Sequence, residues 1–233
     1  MTSTRPPAGI RKARAAQTEA ALKAAARRVL EQRGYLEATI ADITREAGRS
    51  VGSFYRHFAG KEELLQALLD DWLADAGSAL TAHEAGDDLS QPAALRARVA
   101  VYWRTYRDHV PEIRALQQAA LLNPRFAEQL ARNRYAQLET MREHLNRLRG
   151  SGFDLPGDPV VLASAFNALM EGFCQTWLTE GGHPVGRRLS DDEAIDTLTT
   201  ILQHGLLGER SEARRSASAS GRRSPAHRPR RSP

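Results

Sequence analysis

Apolar side chains recur along most of this chain with a helical rhythm. Leu22, Ala26, Val29 and Leu30 fall at i, i+4, i+7 and i+8 within an Ala-rich stretch that opens near Ala13. Gly34 is a natural stop for that helix. Thr39 is a good N-cap for a short segment reaching Ala47, with Ile40 and Ile43 apolar. Gly48 breaks it, Ser50 caps a third segment from Val51 to Phe58, and Gly60 breaks again. A long helix then runs from about Lys61 to His83, with Leu64, Leu65, Leu68, Leu69, Trp72 and Leu73 on a broad apolar face.

The same rhythm continues downstream. Pro92 suits a first helical turn, and Leu95, Val99, Tyr102, Trp103, Tyr106 and Val110 form a stripe. Pro111 opens a shorter segment with Ile113, Leu116 and Leu121. Asn123-Pro124 opens a long one with Leu130, Leu138, Met141, Leu145 and Leu148 on one side. Three Gly and two Pro between Gly150 and Pro159 mark a loop. Helices follow at roughly 159–179 and 190–207, the second capped by Ser190 with Asp191, Asp192 and Glu193 in its first turn, where the helix dipole favours acids. No segment alternates at period two, so the pattern predicts an all-α protein of about nine helices. After Gly208 only Arg, Ser, Pro, Ala and other small or polar residues remain, a composition expected to be disordered.

Composition narrows the function classes. The longest mostly apolar stretch, Val160 to Met170, is about half of what a membrane-spanning helix needs. The N-terminus lacks the apolar core of a secretory signal, so a cytoplasmic protein with no membrane partner is expected. Cys174 is the single cysteine, which excludes an internal disulfide and a Cys-pair zinc site. The seven histidines show no i, i+4 pair and match no zinc motif, so no metal is expected. No phosphate-binding Gly loop, nucleophile elbow or paired-carboxylate signature points to catalysis, and no cofactor is expected.

Charge is polarised along the chain. Residues 1–61 carry 12 Lys/Arg against 5 Asp/Glu, residues 62–208 carry 13 against 21, and residues 209–233 carry 8 against 2. A basic front on an acidic middle suggests that the N-terminal part meets a polyanion.

That front contains two short helices joined by a turn at Gly48, the plan of a helix-turn-helix whose second helix enters the major groove. Ile43 and Ala47 are placed to pack on Phe54 and Phe58, an inward i, i+4 pair. The same rotation puts Val51, Gly52, Ser53, Tyr55 and Arg56 outward, with no acid among them. A helical hairpin in a bundle would explain the Phe pair, but not an acid-free face beside a polarised charge.

The run Ala47-Gly-Arg-Ser-Val-Gly-Ser-Phe-Tyr-Arg-His-Phe58, with Lys61 and Leu64 after it and Thr39 and Ile43 before it, resembles the signature of the TetR family of bacterial regulators. The resemblance covers the N-terminal 75 or so residues. It implies an all-helical homodimer with three N-terminal helices on operator DNA and a larger helical domain that binds a ligand and dimerises. The division it implies is a flexible basic arm at 1–12, a DNA-binding domain at 13–60, an effector and dimerisation domain at 61–208, and an Arg-rich tail at 209–233.

By the same resemblance, Thr39, Ser53, Arg56, His57 and Lys61 match phosphate anchors, and Val51, Gly52 and Tyr55 match positions that reach base edges. Ser50 belongs to the same DNA-facing segment. Arg49 departs from the usual apolar residue and is left between a backbone contact and a solvent-facing turn position. Thr44 replaces a common Ala.

A ligand cavity is implied in the middle domain, with Trp103, Tyr106, Phe126, Phe166, Met170 and Trp177 as candidate lining and Asn167 and Glu171 as candidate polar groups. Aromatics at helical spacing are more often core than lining. The last two helices resemble the family's dimerisation pair, and Ala163, Ser164, Ala165 and Ala168 would permit close approach there. The expected function is therefore a ligand-responsive repressor that binds a palindromic operator as a dimer and is released by a small-molecule effector. The alternatives are a constitutive DNA-binding regulator, and a helical ligand-binding protein or enzyme with a vestigial helix-turn-helix.

Overall fold

The computed structural model describes residues 8–83, 89, 91–180 and 186–206. The elements are α1 (Ala8–Glu37), α2 (Ile40–Glu46), α3 (Val51–Phe54), α4 (Lys61–His83), α5 (Pro92–Asp108), α6 (Val110–Leu122), α7 (Pro124–Gly150), α8 (Pro159–Cys174) and α9 (Asp191–Leu206). Among the described residues all regular structure is helical. The Arg-rich tail and the first seven residues lie outside the described residues.

Most boundaries follow from local chemistry. At α2 the Thr39 hydroxyl accepts the Asp42 N–H while the Asp42 carboxylate accepts the Thr39 N–H, a complete capping box. Ser50 Oγ accepts the Ser53 N–H at the start of α3, and Asn123 and Asp158 cap α7 and α8, each followed by Pro in the first turn.

Four boundaries differ from the sequence pattern. Helix α1 opens at Ala8, inside the stretch expected to be an arm, because residues 8–16 contain Ala and basic residues that favour helix. Val110 belongs to α6 and not to the α5 stripe, because Pro111 cannot continue the preceding helix and sits in the first turn of the next. The segment after Ser50 is helical only to Phe54; bonds from the Arg56 and His57 N–H groups to residues three back then tighten it into turns. Helix α8 widens after Cys174 into a π-helical turn at Gln175–Thr179.

Two apolar cores result. The first joins Leu22, Ala26 and Val29 of α1, Ile43 of α2, Phe54 and Phe58, and Leu64, Leu65, Leu68 and Leu69 of α4. It also takes Ala115, Leu116 and Ala119 from α6 and Phe126 from α7. The second joins α5, α7, α8 and α9 around Trp103, Leu145, Phe166, Met170 and Ile195. Trp72 packs against both. Helix α6 lies along α1 on one side and α7 on the other, so it stands between the cores. Among the described residues, no helix is long and apolar enough to cross a membrane.

Candidate nucleic-acid interface and effector cavity

Helices α2 and α3 hold their shape by burying one side completely. Ile43, Phe54 and Phe58 are buried, and the two Phe rings meet with centroids 5.6 Å apart. What remains outside is Arg49, Ser50, Val51 (45% exposed), Gly52, Tyr55 (56% exposed) and Arg56. The acids of this region are held elsewhere: Glu46 by Arg28 at 2.6 Å, and Asp42 by Arg45 at 3.2 Å and Arg33 at 3.4 Å. The Thr39 hydroxyl, with Arg33 and Arg45 nearby, keeps the Asp42 carboxyl below its ordinary range. Among the described residues Arg49 and Arg56 form no ion pair.

Four expected anchors are placed differently. Ser53 is 6% exposed, and its backbone N–H donates to Ser50 Oγ at 3.1 Å. His57 is mostly covered, with Nδ1 3.9 Å from Glu19 of α1 and its ring against Phe58. The Lys61 ammonium donates to the Tyr35 carbonyl at 2.7 Å and the Ala38 carbonyl at 3.0 Å, and lies 4.2 Å from the Tyr35 ring centre. Burial pulls its pKa below the ordinary value. Lys61 thus ties α4 to the α1–α2 connection. The Thr39 hydroxyl is exposed but donates to Asp42 Oδ2 at 2.6 Å, so its cap comes first.

A cavity of about 420 Å³ opens between α4, α5, α6, α7 and α8. Of the expected lining, Tyr106, Phe166, Asn167 and Glu171 face it. The other four do not. Trp103 is core and its indole N–H donates to Asp191 at 2.8 Å. Phe126 belongs to the N-terminal core, Met170 is fully buried in the second, and Trp177 packs against that core from the π-helical turn. An aromatic on a helix with two covered sides is placed by its rotation, and sequence spacing did not resolve which side faced the space.

The pattern also passed over Trp72, Tyr102, Gln117, Asn133 and Arg134, which all line the cavity. The signal was present in α7, where Asn133, Arg134 and Gln137 interrupt the face that carries Leu130 and Met141. Arg134 makes a forked contact with Glu171, Nη2 to Oε1 at 2.6 Å and Nε to both oxygens at 3.2 Å. The Asn133 amide nitrogen is buried without a hydrogen-bond partner. Burial raises the Tyr102 and Tyr106 phenols, and both also feel the Glu171 charge, so both stay protonated. The cavity therefore offers apolar walls with a few directed polar groups.

The described chain is all-helical, with an N-terminal helix-turn-helix and a helical body that holds the cavity. Residues 22–68 match the family described as bacterial regulatory proteins, tetR family. The transcriptional regulator EthR of Mycolicibacterium smegmatis is 30% identical over 129 residues, 54% of this chain and 59% of that protein. The regulator TtgR of Pseudomonas putida is 36% identical over 85 residues, 36% of this chain and 40% of that protein. The match therefore spans less than two thirds of either relative. A TetR-like regulator from Rhodococcus sp. RHA1 superposes with a TM-score of 0.65 at 20% identity, covering 88% of this chain and all (100%) of that one. A regulator from Saccharomonospora viridis in complex with choline superposes at 0.64, also with 20% identity, covering 83% and 100%. Residues 22–68 thus resemble the TetR family's N-terminal domain, and the fold is that of TetR-like regulators.

Proposed function

We propose that this protein is a dimeric repressor that binds a palindromic operator and is released by a small molecule. The observation that carries the reading is the exposed, acid-free face of Arg49, Ser50, Val51, Gly52, Tyr55 and Arg56 on a segment whose other side is locked into a core. Val51, Gly52 and Tyr55 are assigned to base edges, and Arg49, Ser50 and Arg56 to phosphates. The Ser50 hydroxyl keeps its proton free for a phosphate while its oxygen accepts the Ser53 N–H.

The dimer is assigned to α8 and α9. Val161, Ser164, Ala165, Ala168 and Gly172 are exposed along one line of α8, and Ile201 is exposed on α9. Ala163 faces the core and is not part of that line. A stripe of small residues lets a mate's helix approach closely, and two-fold symmetry then spaces two reading heads for a palindrome.

The cavity supports effector control over a constitutive reading, since its volume falls within the range of small-molecule sites. A ligand that favours the non-binding conformation by on the order of 3 kcal/mol weakens operator binding roughly a hundredfold. Selection of bound duplex from a random library, followed by footprinting, tests the reading. The wild type is expected to enrich a palindrome, and Tyr55→Ala to lose about 1–3 kcal/mol of discrimination without loss of thermal stability. Failure of the wild type to enrich any sequence overturns the reading.

A further inference from the structure

Two consecutive glutamines on α6 reach different neighbours. Gln117 lines the cavity, and its Nε2 donates to Gln175 Oε1 at 3.1 Å, at the start of the π-helical turn. The Tyr106 hydroxyl reaches the same acceptor at 3.3 Å. Gln118 faces α1, where its Oε1 accepts the Tyr35 backbone N–H at 2.6 Å. That bond sits on a kink. Gly34 has φ 70°, a left-handed conformation suited to glycine, and a Cβ there would stand 2.9 Å from Gln118 Oε1.

The chain that leads into the reading head leaves from this kink. The carbonyls of Tyr35 and Ala38 accept from Lys61, and Thr39 starts α2. One side chain from α6 therefore fills the angle between α1 and the DNA-facing helices. A second grip keeps α6 and α1 in step: Arg27 Nε donates to the buried Glu112 at 2.6 Å. With α6 held to α1 at Glu112, a turn of α6 pulls on the Gln118–Tyr35 bond at the kink.

We propose that Gln118 is the positioning residue that sets the aim of the reading head, and that the Gln117–Gln175 bond makes that aim depend on what fills the cavity. The proposal rests on the DNA-binding reading above. An occupant that offers the cavity-lining Gln117 amide another acceptor draws it off Gln175 and lets α6 turn. The 2.6 Å bond at Tyr35 then lengthens or breaks.

The test uses the full chain with three variants: Q118L, which keeps bulk and loses the acceptor; Q118E, which keeps an acceptor; and Q117L, which loses only the cavity-side bond. Two quantities are read, amide hydrogen exchange at Tyr35 and across residues 39–58, and the ratio of affinities for the selected duplex and a scrambled one at fixed salt. Q118L is expected to speed Tyr35 exchange and lower the affinity ratio, each roughly tenfold, with scrambled-duplex affinity unchanged. Q118E should stay near wild type on both. Q117L should speed Tyr35 exchange several-fold although it does not touch α1. A Q118L ratio within about twofold of wild type overturns the proposal, as does Q117L with unchanged Tyr35 exchange. Should Q118L fail to fold, Q117L alone decides. A wild type that selects no duplex overturns the DNA-binding reading instead, and the exchange measurement still judges Gln118.

Discussion

Arg27 and Glu112 show how much one buried carboxylate can organise. Glu112 is fully buried, its Oε1 is held by Arg27 at 2.6 Å, and the His109 ring nitrogen lies 3.5 Å away. Burial by itself would raise the Glu112 pKa, but its neighbours His109 and Arg27 outweigh it and keep the carboxyl below the ordinary value of 4.5. Removing Arg27 strands the charge. Arg27→Ala is expected to cost about 3 kcal/mol or more at neutral pH, measured by urea unfolding. A depressed folded pKa stabilises above the unfolded value and loses that contribution as pH falls through the folded one. The gap between wild type and variant should therefore narrow as pH is lowered below about 4.5, and a gap that holds constant rejects the ion pair as its cause.

Lys61 makes a second case. Resemblance alone assigned it to DNA, and the structure gives its ammonium to two backbone carbonyls. Lys61→Met should lower stability by about 1–3 kcal/mol, because both carbonyls lose a charged donor. The salt dependence of scrambled-duplex binding should stay that of wild type, whereas loss of a phosphate contact lowers that slope by nearly one.

At the scale of elements, the helix starts were legible because caps are local. Thr39, Ser50, Asn123 and Ser190 are polar residues ahead of apolar periodicity, and each sits at a helix start in the structure. Thr39→Ala should cost about 1 kcal/mol in thermal or urea unfolding, by removing the hydroxyl that accepts the Asp42 N–H at the start of α2. The Phe54–Phe58 pair was legible for the same reason, as an i, i+4 pattern within one segment.

What escaped the pattern depended on other segments. The roles of Gln118 and Glu112 come from partners more than eighty residues away in sequence. The cavity was half legible. Tyr106, Phe166, Asn167 and Glu171 face it, but Trp103, Phe126, Met170 and Trp177 fill cores that have the same apolar chemistry.

For the molecule as a whole, the polarised charge and the two cores divide the work. The basic front supplies a surface for a polyanion, and the acidic middle surrounds a space of about 420 Å³. If α8 and α9 pair with a mate's, Ala168→Arg on the exposed stripe should yield a monomer with unchanged helicity. Analytical ultracentrifugation reads this directly, and a dimer that persists at wild-type strength excludes that face. The same variant should bind a half-site duplex as the wild type does and lose only the gain from two heads.

The N-terminal core has a consequence for anyone who treats this protein as interchangeable parts. Its apolar interior is closed by Ala115, Leu116, Ala119 and Phe126, contributed from far along the chain. A hybrid sensor made by joining this reading head to another regulator's body at the α3–α4 junction would leave Leu22, Val29 and Phe54 facing surfaces they do not fit. A working graft has to bring the matching face of α6 with the head, so the exchangeable unit is a three-dimensional patch and not a stretch of sequence.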